Sequence, residues 1–151
     1  MRINTRKFGE IDIAEDNVLT MPDGLPGFPG FDRFVLIEYP ESAPFCWFQS
    51  IETANLALVV MNPFAFKPDY SVDLDQLIRS RGWGNVKKED LLVYVVITIT
   101  GKGNHQSITA NLMGPLVINR EKKQVVQMVI TDPGYSHQYN VLESLSKDRA
   151  G

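Results

Sequence analysis

Proline and glycine cut this chain into short segments, most of them patterned for β-strands, and that spacing limits the fold more than any other feature. Leu56–Met61 is an unbroken apolar run, which suits a strand covered on both faces. Asn62-Pro63 stops it, because proline has no N–H to give a ladder and restricts the residue before it. Leu91–Thr100 is the longest strand expected. One face carries Leu91, Val93, Val95, Ile97 and Ile99, all aliphatic. The other carries Leu92, Tyr94, Val96, Thr98 and Thr100 and grades from apolar to polar. One oily face and one half-wet face fit a curved antiparallel sheet.

The rest of the chain keeps the same rhythm. Ile3 and Thr5 share one side of Arg2–Lys7, Gly9 follows, and Glu10–Ile13 alternates strictly, which predicts a hairpin. Glu15-Asp16-Asn17 reads as a turn before a strand over Val18–Met21. Pro22–Phe31 holds three prolines and three glycines, excluding helix and strand alike. Its Leu25, Phe28 and Phe31 predict a packed loop, with prolines lowering the entropy lost on ordering it. A helical turn is expected at Asp32, then strands over Phe34–Tyr39 and Phe45–Ser50, and five of the eight phenylalanines between Phe28 and Phe48 mark the main core. Asp73 as cap, Gln76 three residues on, Leu74, Leu77 and Ile78 at helical spacing and Gly82 as terminator predict a short helix. Lys87–Asp90 reads as a helical turn and Gly101–Gln106 as a flexible connection. Ile108–Met113 reads as a strand, and Leu116–Ile118 pairs with Val125–Ile130 across a polar turn. The tail, Tyr135–Gly151, shows weak helical spacing at Val141, Leu142 and Leu145, with residues 146–151 frayed. About nine strands against one or two short helices exclude a parallel βαβ sheet. The expectation is a mainly β, single-domain antiparallel β-barrel-like fold spanning residues 1–151, because closure leaves fewer raw edges.

The composition narrows function by exclusion. No apolar run approaches the ~20 residues of a membrane span, and the charged, alternating start lacks the apolar core of a signal peptide, so a cytoplasmic location is expected. Cys46 is the single cysteine, which rules out an internal disulfide and argues against a cysteine-based metal site. Its neighbours Phe45, Trp47 and Phe48 suggest a buried, inert thiol. His105 and His137 have no second ligand at metal spacing, and no G-x-S-x-G, P-loop or G-x-G-x-x-G is present. Gly101-Lys102-Gly103 lacks the following helix that would hold an anion. The net charge of −3 is divided unevenly: residues 1–75 hold five Lys/Arg and twelve Asp/Glu, residues 76–151 ten and six. An acidic front half disfavours nucleic acid and suits a basic protein partner, unless the fold interleaves the halves. The prolyl-bounded loop after Met61 holds Phe64, Phe66, Asp69 and Tyr70. Its rings either plug the core or form a hydrophobic docking patch with Asp69 on the rim. The sequence favours a binding module over a catalyst, with no metal or cofactor.

Separated motifs then add up. Thr5–Ile11 (TRKFGEI), Met21–Phe28 (MPDGLPGF), Phe48-Gln49-Ser50 with Leu58–Tyr70 ending NPFAFKPDY, and Thr109–Leu112 with Gly114–Asn119 and Gln124-Val125-Val126 occur in order. Across roughly residues 2–135 the chain resembles the FliW family of bacterial flagellar assembly factors. It departs at Met21, where the family often has Phe, and at Gly114, where it often has Ala. The resemblance implies a cytoplasmic, non-enzymatic regulator, monomeric when free, without cofactor and with no direct nucleic-acid contact. Its implied partners are flagellin, bound before export, and CsrA, an RNA-binding repressor of flagellin translation, which compete for it. Phe64, Phe66 and Tyr70 would then contribute to a groove for flagellin's amphipathic terminal segments, with Asp69 on its rim. Two alternatives remain from the residues: a flavin-type split barrel, which a flavin absorbance band would reveal, and an RNA-binding β-barrel, which salt-dependent RNA retention would reveal.

Overall fold

The computed structural model of the chain describes residues 1–143. β1 (Arg2–Thr5) and β2 (Gly9–Asp12) form the expected hairpin, with Arg2 opposite Asp12 and Thr5 opposite Gly9. The larger sheet contains β3 (Leu19–Thr20), β4 (Arg33–Ile37), β5 (Cys46–Ser50), β6 (Ala57–Met61), β7 (Leu91–Thr100), β8 (Ser107–Ala110), β9 (Leu116–Asn119), β10 (Gln124–Gln127) and β11 (Tyr139–Asn140). Their order is β11-β8-β7-β6-β5-β4-β3-β10-β9, and β9 also pairs with β7.

That last pairing decides the architecture. The C-terminal half of β7 takes β8, from Ile97 opposite Ala110 to Thr100 opposite Ser107. Its N-terminal half takes β9, from Leu91 opposite Asn119 to Tyr94 opposite Leu116. Between the two, the Asn111 N–H still donates to the Val96 carbonyl at 3.0 Å. The ring β7-β6-β5-β4-β3-β10-β9 therefore closes into a barrel, and β8 and β11 extend outward from β7. The sheet is mixed rather than purely antiparallel, since β3 and β10 meet in parallel at Thr20 and Gln124.

Closure covers the inner face of the strands and the other two cores cover part of the outer face, which is why β6 and β7 read as nearly continuous apolar runs. Inside the ring lie Leu19, Phe34, Phe48, Val60, Leu116, Ile118 and Val125. Phe34 and Phe48 stack there with centroids 4.5 Å apart. Outside β7, Leu91, Val93, Val95 and Ile97 face a second core made with Phe66, Tyr70, Leu77, Trp83 and Ile108. A third, smaller core lies under the hairpin, where Ile3 meets Val35, Ile37 and Trp47, and Phe8 stands edge-on to Tyr39 and Trp47.

The helix α1 (Leu74–Arg81) follows its sequence signals. Asp73 accepts from the Gln76 N–H at 3.0 Å, and Gly82 takes the left-handed conformation (φ +68°) that ends it. Leu77 is buried and Arg79 exposed, while Arg81 pairs with Asp23. Asp73→Ala should lower stability by about 1 kcal/mol by orphaning that N–H, measurable as an earlier midpoint in urea with an unchanged slope.

Several expectations need correction. Asp32 begins no helical turn; its carbonyl accepts from the Met21 N–H at 2.7 Å. In the proline-glycine loop Leu25 is buried and Phe31 packs against the same core, but Phe28 is 41% exposed. β6 is fully covered only at Val60 and Met61, with Ala57 exposed. β8 and β10 stop short of the predicted ends, at Ala110 and Gln127, and β10 ends where Pro115 comes opposite Met128. Gly101–Gln106 is a defined turn, not a loose one. Gly101 has φ +83°, and a Cβ there would sit 2.2 Å from the His105 carbonyl oxygen, so only glycine fits. Tyr139–Asn140 pairs with β8 instead of joining the helical tail, and helix begins at Val141. Leu145 and the frayed end expected over 146–151 lie outside the described residues.

The two charge halves meet at seams of the barrel. Strands β3–β6 of the acidic half form one arc of the ring and β7, β9 and β10 the other, and ion pairs cross between the halves where Asp23 meets Arg81 and Asp75 meets Lys88, the latter at 3.0 Å.

Candidate partner-binding site

The loop after β6 is a compact knot. Asn62 caps its first turn, its Oδ1 accepting from the Phe64 N–H at 2.9 Å. The Pro63 carbonyl accepts from Phe66 and Lys67 (3.2 and 2.9 Å), and the Lys67 carbonyl from Tyr70 (3.0 Å). This geometry sends the four candidate residues to different places. Phe66 is 1% exposed and stacks on Tyr139 at 5.7 Å. Tyr70 is 4% exposed and its hydroxyl donates to the Leu112 carbonyl at 2.6 Å. Burial and the neighbouring Tyr135 push that hydroxyl far above its ordinary range, so it stays a neutral donor. These two rings plug the second core. Phe64 alone stands out, 41% exposed and tilted 6.0 Å from Tyr70. Asp69 is exposed and pairs with Lys67 at 3.1 Å. The hydrogen bond that Lys67 donates to Asp69 raises the Lys67 pKa against the opposing effect of burial, and the ammonium also lies over the Tyr135 and Tyr139 rings.

Phe64 borders one end of the barrel. That mouth is rimmed by the start of β3, the ends of β4, β6 and β9, and the start of β7. Three hollows adjoin across it. The first, of about 320 Å³, lies between Phe64, Val72, Leu74, Lys88, Leu91 and Tyr94. The second, of about 410 Å³ and chiefly apolar, is walled by Tyr39, Pro44, Phe45, Cys46 and Tyr94. The third, of about 260 Å³, has Leu36, Leu92 and Ile118 as floor and Asp16, Arg120 and Lys123 as rim. Glu38 links the second and third, and Asn62 the first and second.

Tyr94 stands between hollows and donates to Glu38 Oε1 at 3.1 Å. Burial first, then the Glu38 charge, pushes its hydroxyl well above the ordinary tyrosine range. The same two causes raise the Cys46 thiol. Cys46 is half-buried in the wall instead of fully buried, and its raised pKa keeps it a protonated, weak nucleophile. Both histidines are exposed, and no group of three His, Cys, Asp or Glu among the described residues is placed to hold a metal. The mouth offers apolar area, a polar rim and one exposed ring, which suits holding a surface. The sequence did not single out Glu38, Leu92 or Tyr94. The only signal was the mixed face of β7, and which side of that strand faces the barrel interior is set by closure.

The comparisons with known proteins agree over nearly the whole chain. A family model described as "FliW protein" matches residues 2–141. The chain is 36% identical over 146 residues to the flagellar assembly factor FliW of Treponema denticola, covering 97% of each chain. It is 35% identical over 148 residues to that of Alkaliphilus metalliredigens, covering 97% of this chain and 90% of the relative. A crystal structure of the flagellar assembly factor FliW superposes with a TM-score of 0.80 at 30% identity, over 93% of this chain and 96% of that one. No helix among the described residues is long and apolar enough to cross a membrane. With the barrel, the motif order and these matches in hand, the chain belongs to the FliW family.

Proposed function

We propose that this chain is a non-enzymatic flagellar assembly factor of the cytoplasm that works by holding other proteins: flagellin before its export, and the RNA-binding regulator CsrA. Membership of a family whose relatives are named flagellar assembly factors supports the setting. One observation on the molecule carries the mode of action. Phe64 is held out of the core by a loop whose other two rings are buried, beside a hollow lined by Val72, Leu74 and Leu91. An amphipathic segment, such as a helix-forming flagellin terminus, can lay its apolar face there. Phe66 and Tyr70 fix the loop from beneath, and Asp69 supplies an acidic rim. Exposed acids such as Asp69 and Glu41 would contribute to recognising a basic partner.

The test is co-purification from cells, with and without flagellin, using the wild type and Phe64→Ala. Truncating a central interface aromatic costs ~2 kcal/mol or more, so capture of flagellin should fall by about thirtyfold while the variant stays folded. Equal capture by a folded Phe64→Ala protein would remove the loop from the interface. Salt-dependent retention of RNA by the pure protein would favour the nucleic-acid reading instead.

A further inference from the structure

Beyond β10 the chain runs on through Met128–Asp132 as an unfinished edge. The Met128 N–H donates to the Pro115 carbonyl at 2.9 Å and the Ile130 N–H to the Met113 carbonyl at 2.7 Å. Among the described residues no backbone bond returns along this stretch. Pro115 has no N–H, and the Met113 N–H is taken by Asn111 Oδ1 at 3.0 Å. Met128 and Ile130 therefore pack inward on the second core, while the alternate N–H groups, of Val129 and Thr131, point to the other edge. Neither has a backbone partner among the described residues. Val129 is 82% exposed, more than any other large apolar residue described. An open edge with a β-branched side chain on show is what sheet proteins ordinarily cover, charge or bulge away.

The edge is also one wall of a groove. Opposite it lie Ser71, Asp73 and Gln76 at the start of α1, with Asp132 and Tyr135 at one end, enclosing about 580 Å³. Asp73 and Asp132 are the charged groups of that lining, and no Lys or Arg belongs to it. Lys67, which lies over the Tyr135 ring, is already paired with Asp69. We infer that the Val129–Thr131 edge is a strand-addition site for an extended, cationic peptide segment of a partner protein, main-chain bonds supplying the pairing and the two carboxylates the preference for Lys or Arg. A second copy of this chain is the poorer occupant. Two-fold edge pairing would bring two acidic grooves together, and facing like charges oppose such a pairing.

Amide hydrogen exchange on the full chain, followed residue by residue by NMR, tests this with three synthetic peptides. One is Lys-Val-Thr-Val-Lys, one replaces its Lys with Glu, and one keeps Lys but carries alternate N-methyl groups. The cationic peptide should slow exchange at Val129 and Thr131 by about tenfold or more, a gain of roughly 1.4 kcal/mol. The acidic and N-methylated peptides should not. Val129→Lys, at an exposed position, should abolish the response without altering the rest of the spectrum. Phe64→Ala should retain it, which separates this edge from the groove proposed above. No slowing by the cationic peptide, equal slowing by the acidic one, or a full response in Val129→Lys would each overturn the inference. So would protection that rises with protein concentration alone, which would assign the edge to a second copy.

Discussion

Phe66→Ala should lower the stability of this protein by about 3–5 kcal/mol, because a 1% exposed ring leaves a cavity that its neighbours cannot fill. Phe64→Ala, two positions away, should cost only about 1–1.5 kcal/mol, in proportion to the smaller share of that ring removed from water. The contrast matters more than either value. Both residues sit in the same prolyl-bounded loop, yet one is stacked on Tyr139 and the other rims an open hollow. Urea unfolding of the two variants, with slopes compared to confirm that only stability changed, reads the difference directly. For a chain of this size the larger loss corresponds to a fall in Tm of about 10 °C. Similar losses for both variants would mean that Phe64 is a core residue too, and the docking role given to it would fail.

Phe48→Ala should be as costly, about 3–5 kcal/mol, from inside the barrel. The ring is fully buried on β5 and stacks on Phe34 of β4, the planes 10° apart. The interior cannot close around the gap, since β4, β5 and β6 are held in register by ladders on both sides, Leu36 opposite Phe48 and Phe48 opposite Leu58. A double-mutant cycle with Phe34→Ala should give a coupling of about 0.5–1.5 kcal/mol beyond the separate losses, the amount an aromatic pair adds to its burial. A loss under about 1 kcal/mol for Phe48→Ala would show that the ring of strands does not enclose a packed interior. The two substitutions probe different cores, so their effects should add when combined.

Much of the local structure was legible residue by residue. The hairpin at Thr5–Gly9, the helix from Asp73 to Gly82 and the bounds of β7 follow from short-range chemistry: alternation, a capping carboxylate, a left-handed glycine. The misses share a cause. Phe28 and Phe66 lie in similar aromatic loops, and nothing in their own neighbourhoods says that the C-terminal segment will cover Phe66 while Phe28 stays exposed. Tyr139–Asn140 looked like part of a helical tail because its strand partner, Thr109–Ala110, lies far away in sequence. Tyr94 and Glu38, 56 positions apart, became neighbours only when the ring closed.

The sequence by itself therefore determined the strand-rich class, the turns, the single well-capped helix and the motif order that marks the family, because each depends on backbone preferences acting over a few residues. The tertiary structure alone decided which aromatic rings are plugs and which is presented, which charges of the two halves meet, and that β7 serves β9 and β8 along one edge. Those outcomes depend on which distant segment arrives to exclude water or complete a ladder, and that choice is made by packing of the whole chain.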